Sequence, residues 1–184
     1  RPPISDAPRR ASFFPAAAGA AVPTQTGTRF MSENTQPVFS IEKLYVKDLS
    51  VEVPGAPQIF LERETPQVNV QLRTEGQVVE EGVYEVTLTV TVNARIGEER
   101  NLFLVEVAQA GIFQIRNLPE GELEPVMMIG CPNILFPYAR EAVSDAVTRA
   151  GFQPVLLSPV NFESLYQAQR QQAIEQANGE VPIQ

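Results

Sequence analysis

Few residues in this chain are able to do chemistry. Cys131 is the one thiol in 184 residues, and His is absent. A cysteine attacks as its thiolate, which needs a base or a positive neighbour. Cys131 lies instead in the apolar, Pro-flanked stretch Met127-Met128-Ile129-Gly130-Cys131-Pro132, so it reads as a buried structural thiol. Without His there is no Ser-His-Asp or Cys-His pair and no imidazole metal ligand. One Cys excludes an internal disulfide and a CxxC zinc site. No Gly-rich phosphate loop, EF-hand loop or HExxH occurs. What remains is carboxylates without a supporting base or metal pattern. The expectation is therefore no enzymatic activity, no cofactor and no metal.

The carboxylates suit recognition better. Asp48 and Glu52 lie four apart in a strand-like stretch, and strand periodicity points them the same way. Glu106 could join them from a later strand. Two readings stay open: a solvated acidic face, or a docking site for a Lys/Arg-rich peptide. The apolar features are Met127-Met128, pliable enough to pack against varied partners, and Ile59-Phe60-Leu61, inside a loop bounded by Pro57 and Pro66. That loop either plugs the core or forms a wall of an apolar groove for an extended partner.

The elements that must position these residues follow from periodicity. Leu49-Ser50-Val51-Glu52-Val53 alternates apolar and polar, while Phe39 to Val46 is looser but strand-like. Val68, Val70 and Leu72 mark a second strand, and 76–82 reads as a turn region. Val86, Leu88, Val90, Val92, Ala94 and Ile96 share one face of a third. Gly97-Glu98-Glu99-Arg100 predicts a hairpin turn into a fourth, from about Asn101 to Arg116. Leu135, Tyr138, Ala139, Ala142, Val143, Ala146, Val147 and Ala150 recur at helical spacing until Gly151. A second helix opens at Asn161, a plausible N-cap, with Phe162, Leu165, Tyr166, Gln169 and Ala173 on its inner stripe, and ends at Gly179 and Pro182. Strands first and helices last predict an α+β fold with a four-stranded antiparallel sheet. Helices on one side leave the other sheet face wet or covered by a partner chain.

The net charge is −8, and no run of 18 apolar residues occurs. This argues against nucleic-acid binding and direct membrane insertion, and for basic partners. The charge is unevenly spread. Residues 1–30 hold Arg1, Arg9, Arg10 and Arg29 against Asp6 alone, with Pro- and Ala-rich sequence. They read as a disordered or non-native extension, a transit-type presequence, or a partner-binding tail anchored by Phe13-Phe14. Residues 31–184 carry 10 basic and 21 acidic side chains, a net of −11. The folded part is expected over 31–178, and 179–184 as a flexible tail. The lack of disulfides and of a secretory signal fits a cytoplasmic setting.

The run Cys131-Pro132-Asn133-Ile134-Leu135-Phe136-Pro137-Tyr138-Ala139-Arg140-Glu141 is the most specific feature of the chain. Together with Pro159-Val160-Asn161-Phe162, Tyr45-Val46-Lys47-Asp48 and Val83-Tyr84-Glu85-Val86, it resembles the SecB family of bacterial protein-export chaperones. The resemblance runs from about Phe39 to about Gln172.

The resemblance implies a sheet of four strands with two helices, assembled as a homotetramer, a dimer of dimers. The long helix would form the inter-dimer interface through Tyr138, Ala142 and Ala146. It implies an ATP-independent holdase that binds preproteins before they fold and delivers them to the SecA translocase motor. The motor's basic, zinc-bearing tail would dock on the acidic outer sheet face at the matching positions Asp48, Glu52, Leu104 and Glu106. Several moderate apolar sites on one oligomer would hold a long unfolded client by avidity. By apolar character and position, the groove candidates are Ile59, Phe60, Leu61, Val126, Met127, Met128, Phe162 and Leu165. The competing expectation is a SecB-like holdase serving another partner, such as an antitoxin or stress client.

Overall fold

The computed structural model describes residues 36–97 and 100–179. The expected extension over 1–30, residues 98–99 of the expected turn and the last residues of the chain lie outside them. Four long strands come first: β1 (Val38–Glu52), β2 (Gln67–Glu80), β3 (Val83–Ile96) and β4 (Arg100–Arg116). A short helical turn α1 (Leu123–Pro125) and a π-turn (Val126–Gly130) lead into α2 (Cys131–Arg149), and α3 (Phe162–Gly179) follows an extended segment. All strand pairs are antiparallel, in the order β1-β4-β3-β2. The expected architecture of four antiparallel strands followed by two long helices is what the chain adopts.

Register explains which parts of the sequence looked regular. β3 alternates cleanly because it is central. Val86, Leu88, Val90, Val92 and Ala94 are fully buried beneath α2, and Val105 and Val107 of β4 lie beside them. β1 looked loose because it carries two bulges, between Ile41 and Lys43 and between Val46 and Asp48. Each inserts one unpaired residue and shifts the alternation by one. With both counted, Phe39, Ile41, Leu44, Val46, Leu49 and Val51 all fall on the helix-facing side. One expectation is corrected. Residues 76–82 are not a turn region, for β2 runs on to Glu80 and only Glu81 and Gly82 connect it to β3.

α2 lays Cys131, Leu135, Phe136, Ala139, Ala142, Val143, Ala146 and Val147 onto β3 and β4. Its end is a Schellman motif. Gly151, at φ +91°, donates its N–H to Thr148 O at 3.0 Å, and Phe152 donates to Val147 O at 3.2 Å. A side chain at that φ is strained, so glycine sets the stop. Asn161 caps α3, its Oδ1 accepting from Ser164 N–H at 3.0 Å.

A single helix is about 10 Å across, whereas four strands at about 4.8 Å spacing are wider. α2 therefore covers the centre of the sheet and leaves the edges open. On β1, Phe39, Ile41, Val46 and Leu49 are 44–48% exposed, and Val68 and Val70 of β2 are comparable.

Candidate functional site

The outer sheet face, away from α2, brings the four acidic-face candidates together. On adjacent rungs Asp48 lies opposite Ala108, Ser50 opposite Glu106, and Glu52 opposite Leu104. Asp48, Glu52, Leu104 and Glu106 thus share one patch on the β1-β4 pair. Asp48 and Glu52 are exposed, while Leu104 and Glu106 are half-buried. Thr91 Oγ1 donates to Glu106 Oε2 at 2.9 Å, which fixes that carboxylate from β3. Asp48, Glu52 and Glu106 make no ion pair among the described residues. Two cations of this face are engaged elsewhere, Lys47 with Glu85 and Arg73 with Glu75, while Arg95, beyond Asn93, makes no ion pair among the described residues. The patch is left as net negative charge around one apolar side chain, suited to a basic ligand.

Beside the patch lies a cluster that sequence reasoning missed. The Glu85 carboxylate, 6% exposed, accepts from Tyr45 Oη, from Lys47 Nζ at 2.6 Å and from Gln77 Nε2. Burial alone would raise its pKa. The hydrogen bonds from Lys47, Tyr45 and Gln77, with the Lys47 charge, outweigh burial and hold it below the usual carboxylate range. Hydrogen bonding to Glu85, then burial, then the carboxylate's charge push the Tyr45 hydroxyl up to about 12. The signal was present in two conspicuous motifs, Tyr45-Val46-Lys47-Asp48 and Val83-Tyr84-Glu85-Val86. Nothing local says that they meet, because β4 lies between their strands.

The groove candidates form two groups. Met127 fills the space beside the bare backbone of Gly76, and Phe162 meets Phe136 edge-on, with ring centroids 5.8 Å apart. Phe60 packs on Phe152 at 5.3 Å, and Phe152 on Phe103 at 4.9 Å. Gly76 pairs with Val86, and Phe103 with Ala94. Eight residues of strand separate these rungs, about 26 Å, so the groups sit at opposite ends of α2. Ile59, Met127 and Phe162 are buried in the core, which corrects their expected place as groove surface; for Ile59 this is the core-plugging alternative of its loop. Phe60 is 49% and Leu61 82% exposed, and Leu165 is also exposed. Val126 and Met128 are half-buried. The half-exposed row Val68-Val70 of β2 starts at the Phe103 end, where Val68 pairs with Ala94. Its alternation was legible as a strand, but not as an open row.

Two interface expectations also need correction. Ala142 and Ala146 are buried against the sheet of their own chain, where small side chains let the helix approach closely. Tyr138 projects outward at 51% exposure.

Burial pushes the Cys131 thiol up to about 12, so it is no nucleophile at neutral pH. No group of three or more His, Cys, Asp or Glu able to hold a metal occurs among the described residues. Among these residues no helix is long and apolar enough to cross a membrane.

Comparisons with known proteins identify the family. The family model for the preprotein translocase subunit SecB matches residues 32–173. The protein-export protein SecB of Azoarcus sp. (strain BH72) is 73% identical over 154 residues, covering 84% of this chain and all of that one. The Aromatoleum aromaticum protein of the same name is 76% identical over 160 residues, covering 84% of this chain and all of that one. Among solved structures, a SecB-like chaperone from Mycobacterium tuberculosis, in complex with a ChAD peptide from the HigA1 antitoxin, superposes with a TM-score of 0.56 at 16% identity. It covers 66% of this chain and 90% of that one. That distant likeness concerns the fold alone. With the family model spanning most of the folded part and relatives above 70% identity along their whole length, this chain belongs to the SecB family of protein-export chaperones.

Proposed function

We propose that this chain works in the cytoplasm as an ATP-independent holdase. It keeps preproteins unfolded and hands them to the SecA translocase through the motor's basic, zinc-bearing tail. The observation that carries the reading is the gathering of Asp48, Glu52, Leu104 and Glu106 on adjacent rungs of one open sheet face. The client is held on the other face, along the open apolar row of β2 and at the groups containing Phe60, Leu61, Met128 and Leu165. Moderate contacts at several places give avidity, yet each releases quickly enough for transfer.

The active form is a homotetramer, a dimer of dimers. The half-exposed apolar row on edge strand β1 supports this, as does Tyr138 standing outward from α2. The antitoxin-serving alternative has weaker support. Its solved example shares 16% identity with this chain, against 73–76% for proteins named for export.

The test is a refolding assay with a denatured, slow-folding preprotein, followed by titration with the tail peptide. Suppressed refolding and salt-sensitive peptide binding, lost in Asp48→Lys or Glu52→Lys, support the export reading. Holding without peptide binding supports the alternative. A client that folds or aggregates unhindered overturns the holdase reading.

A further inference from the structure

The apolar alternation of β1 demands a bulge between Leu44 and Leu49 but does not choose its place. With the bulge at Lys47, Asp48 pairs opposite Ala108. A bulge one position later would put Lys47 opposite Ala108 and leave Asp48 unpaired. With no bulge, Asp48 would fall opposite Val107, on the face beneath α2. The aim of Asp48 therefore depends on which residue is the odd one.

The ladder gives an unpaired bulge residue nothing to fix it. Here a side-chain clamp does so. Tyr45 and Lys47 both reach across β4 to Glu85 on β3, and Gln77 closes the cluster from β2. The crossing is possible because β4 presents small residues beneath it. Ala110 lies opposite Tyr45 and is fully buried, and Ala108 is next along this face. Glu85 thus gathers groups from β1 and β2 onto β3, across the whole width of the sheet.

We propose that Glu85, acting through Tyr45 and Lys47, is a positioning residue for the translocase-docking face: it pins the β1 bulge at Lys47 and so sets Asp48 in register beside Glu106 and Glu52. The inference rests on the docking reading above. It makes a prediction opposite to that of charge alone. Removing the Lys47 charge makes the face more acidic, and simple electrostatics then expects tighter binding of a basic peptide. Loss of the clamp expects weaker binding.

The experiment measures affinity of the zinc-loaded motor-tail peptide for the full chain by calorimetry. The variants are Lys47→Met, Lys47→Arg and Tyr45→Phe, with Asp48→Lys as the control for docking. Tyr45→Phe removes one hydroxyl and leaves the charge unchanged, so it keeps the test valid if Lys47→Met folds poorly. The expected result is about 5- to 10-fold weaker binding for Lys47→Met and Tyr45→Phe, with Lys47→Arg within about 2-fold of the parent. Amide exchange at residues 46–49 should quicken in the two weakened variants while client holding is unchanged, which a general loss of stability would not give. If Asp48→Lys abolishes binding but Lys47→Met and Tyr45→Phe bind as tightly as the parent or tighter, docking stands and the positioning role is overturned. If Asp48→Lys binds normally, the docking reading itself fails and the positioning role falls with it.

Discussion

The ring of Phe113 lies over Gly111 so closely that a β-carbon at position 111 would stand 2.7 Å from Cε2 of the ring. It would also stand 2.9 Å from Cδ2 of Leu44 on β1. Phe113 cannot yield, since it is fully buried and stacks on Phe39 with centroids 5.8 Å apart. The absent side chain is what lets β1, β4 and an aromatic ring occupy the same place. Gly111→Ala should therefore destabilise the fold by about 1–3 kcal/mol through overpacking. Urea unfolding would show a lower midpoint with an unchanged slope.

Leu61 and Ile59 lie two residues apart and should behave oppositely. Leu61→Ser alters an exposed position and should leave stability within about 0.5 kcal/mol, while client capture weakens. Ile59→Ser introduces an unpartnered hydroxyl into the core and should cost about 2–4 kcal/mol. Thermal unfolding and a client-binding titration on both variants separate the groove surface from its support.

Cys131 should resist iodoacetamide in the native protein at pH 8, where burial keeps its thiol protonated. In urea the same thiol should react at the rate of a free cysteine. Mass spectrometry of timed aliquots reads the difference. Rapid native alkylation would contradict the packing described for the start of α2.

The Glu85 carboxyl, held below its ordinary range, gives a signed pH dependence. The unfolded chain takes up this proton first as pH falls, from about 4.3 for an unperturbed Glu. The clamp's contribution is thus fully present above that value and is lost as pH drops through the lower folded value. Glu85→Gln should lower the thermal midpoint at pH 7, and its gap from the parent should narrow towards pH 3. A gap that widens on acidification would contradict the assignment.

Asn161→Ala removes the side-chain acceptor for Ser164 N–H and should cost about 1 kcal/mol, with Asn161→Asp close to neutral. Far-ultraviolet circular dichroism during denaturation would show α3 fraying earlier in the Ala variant.

Local chemistry was legible from the sequence wherever it decides structure locally. The alternation of β3, the stop at Gly151 and the cap at Asn161 each depend on neighbours within a few residues. Asp48 and Glu52 were legible as partners because they lie on one strand. The rest depended on strand order. Tyr45 and Glu85 come together only because β1 skips β2 and β3 to pair with β4, and two bulges had already blurred the period of β1. Ile59 was ambiguous for a different reason. A loop beside a half-covered sheet can point an apolar residue inward or outward, and composition does not distinguish them.

The pairing of β1 with β4 also has a consequence in time. β1 leaves the ribosome first, but its ladder partner is the last strand of the sheet, ending at Arg116. At about 5–20 residues per second, some 3–13 s pass between the emergence of the two. During that interval Phe39, Ile41, Leu44, Val46, Leu49 and Val51 are an extended apolar segment with nothing to pair with. Each newly made copy is thus, for those seconds, itself an unfolded chain with an exposed apolar segment, the kind of surface a chaperone holds.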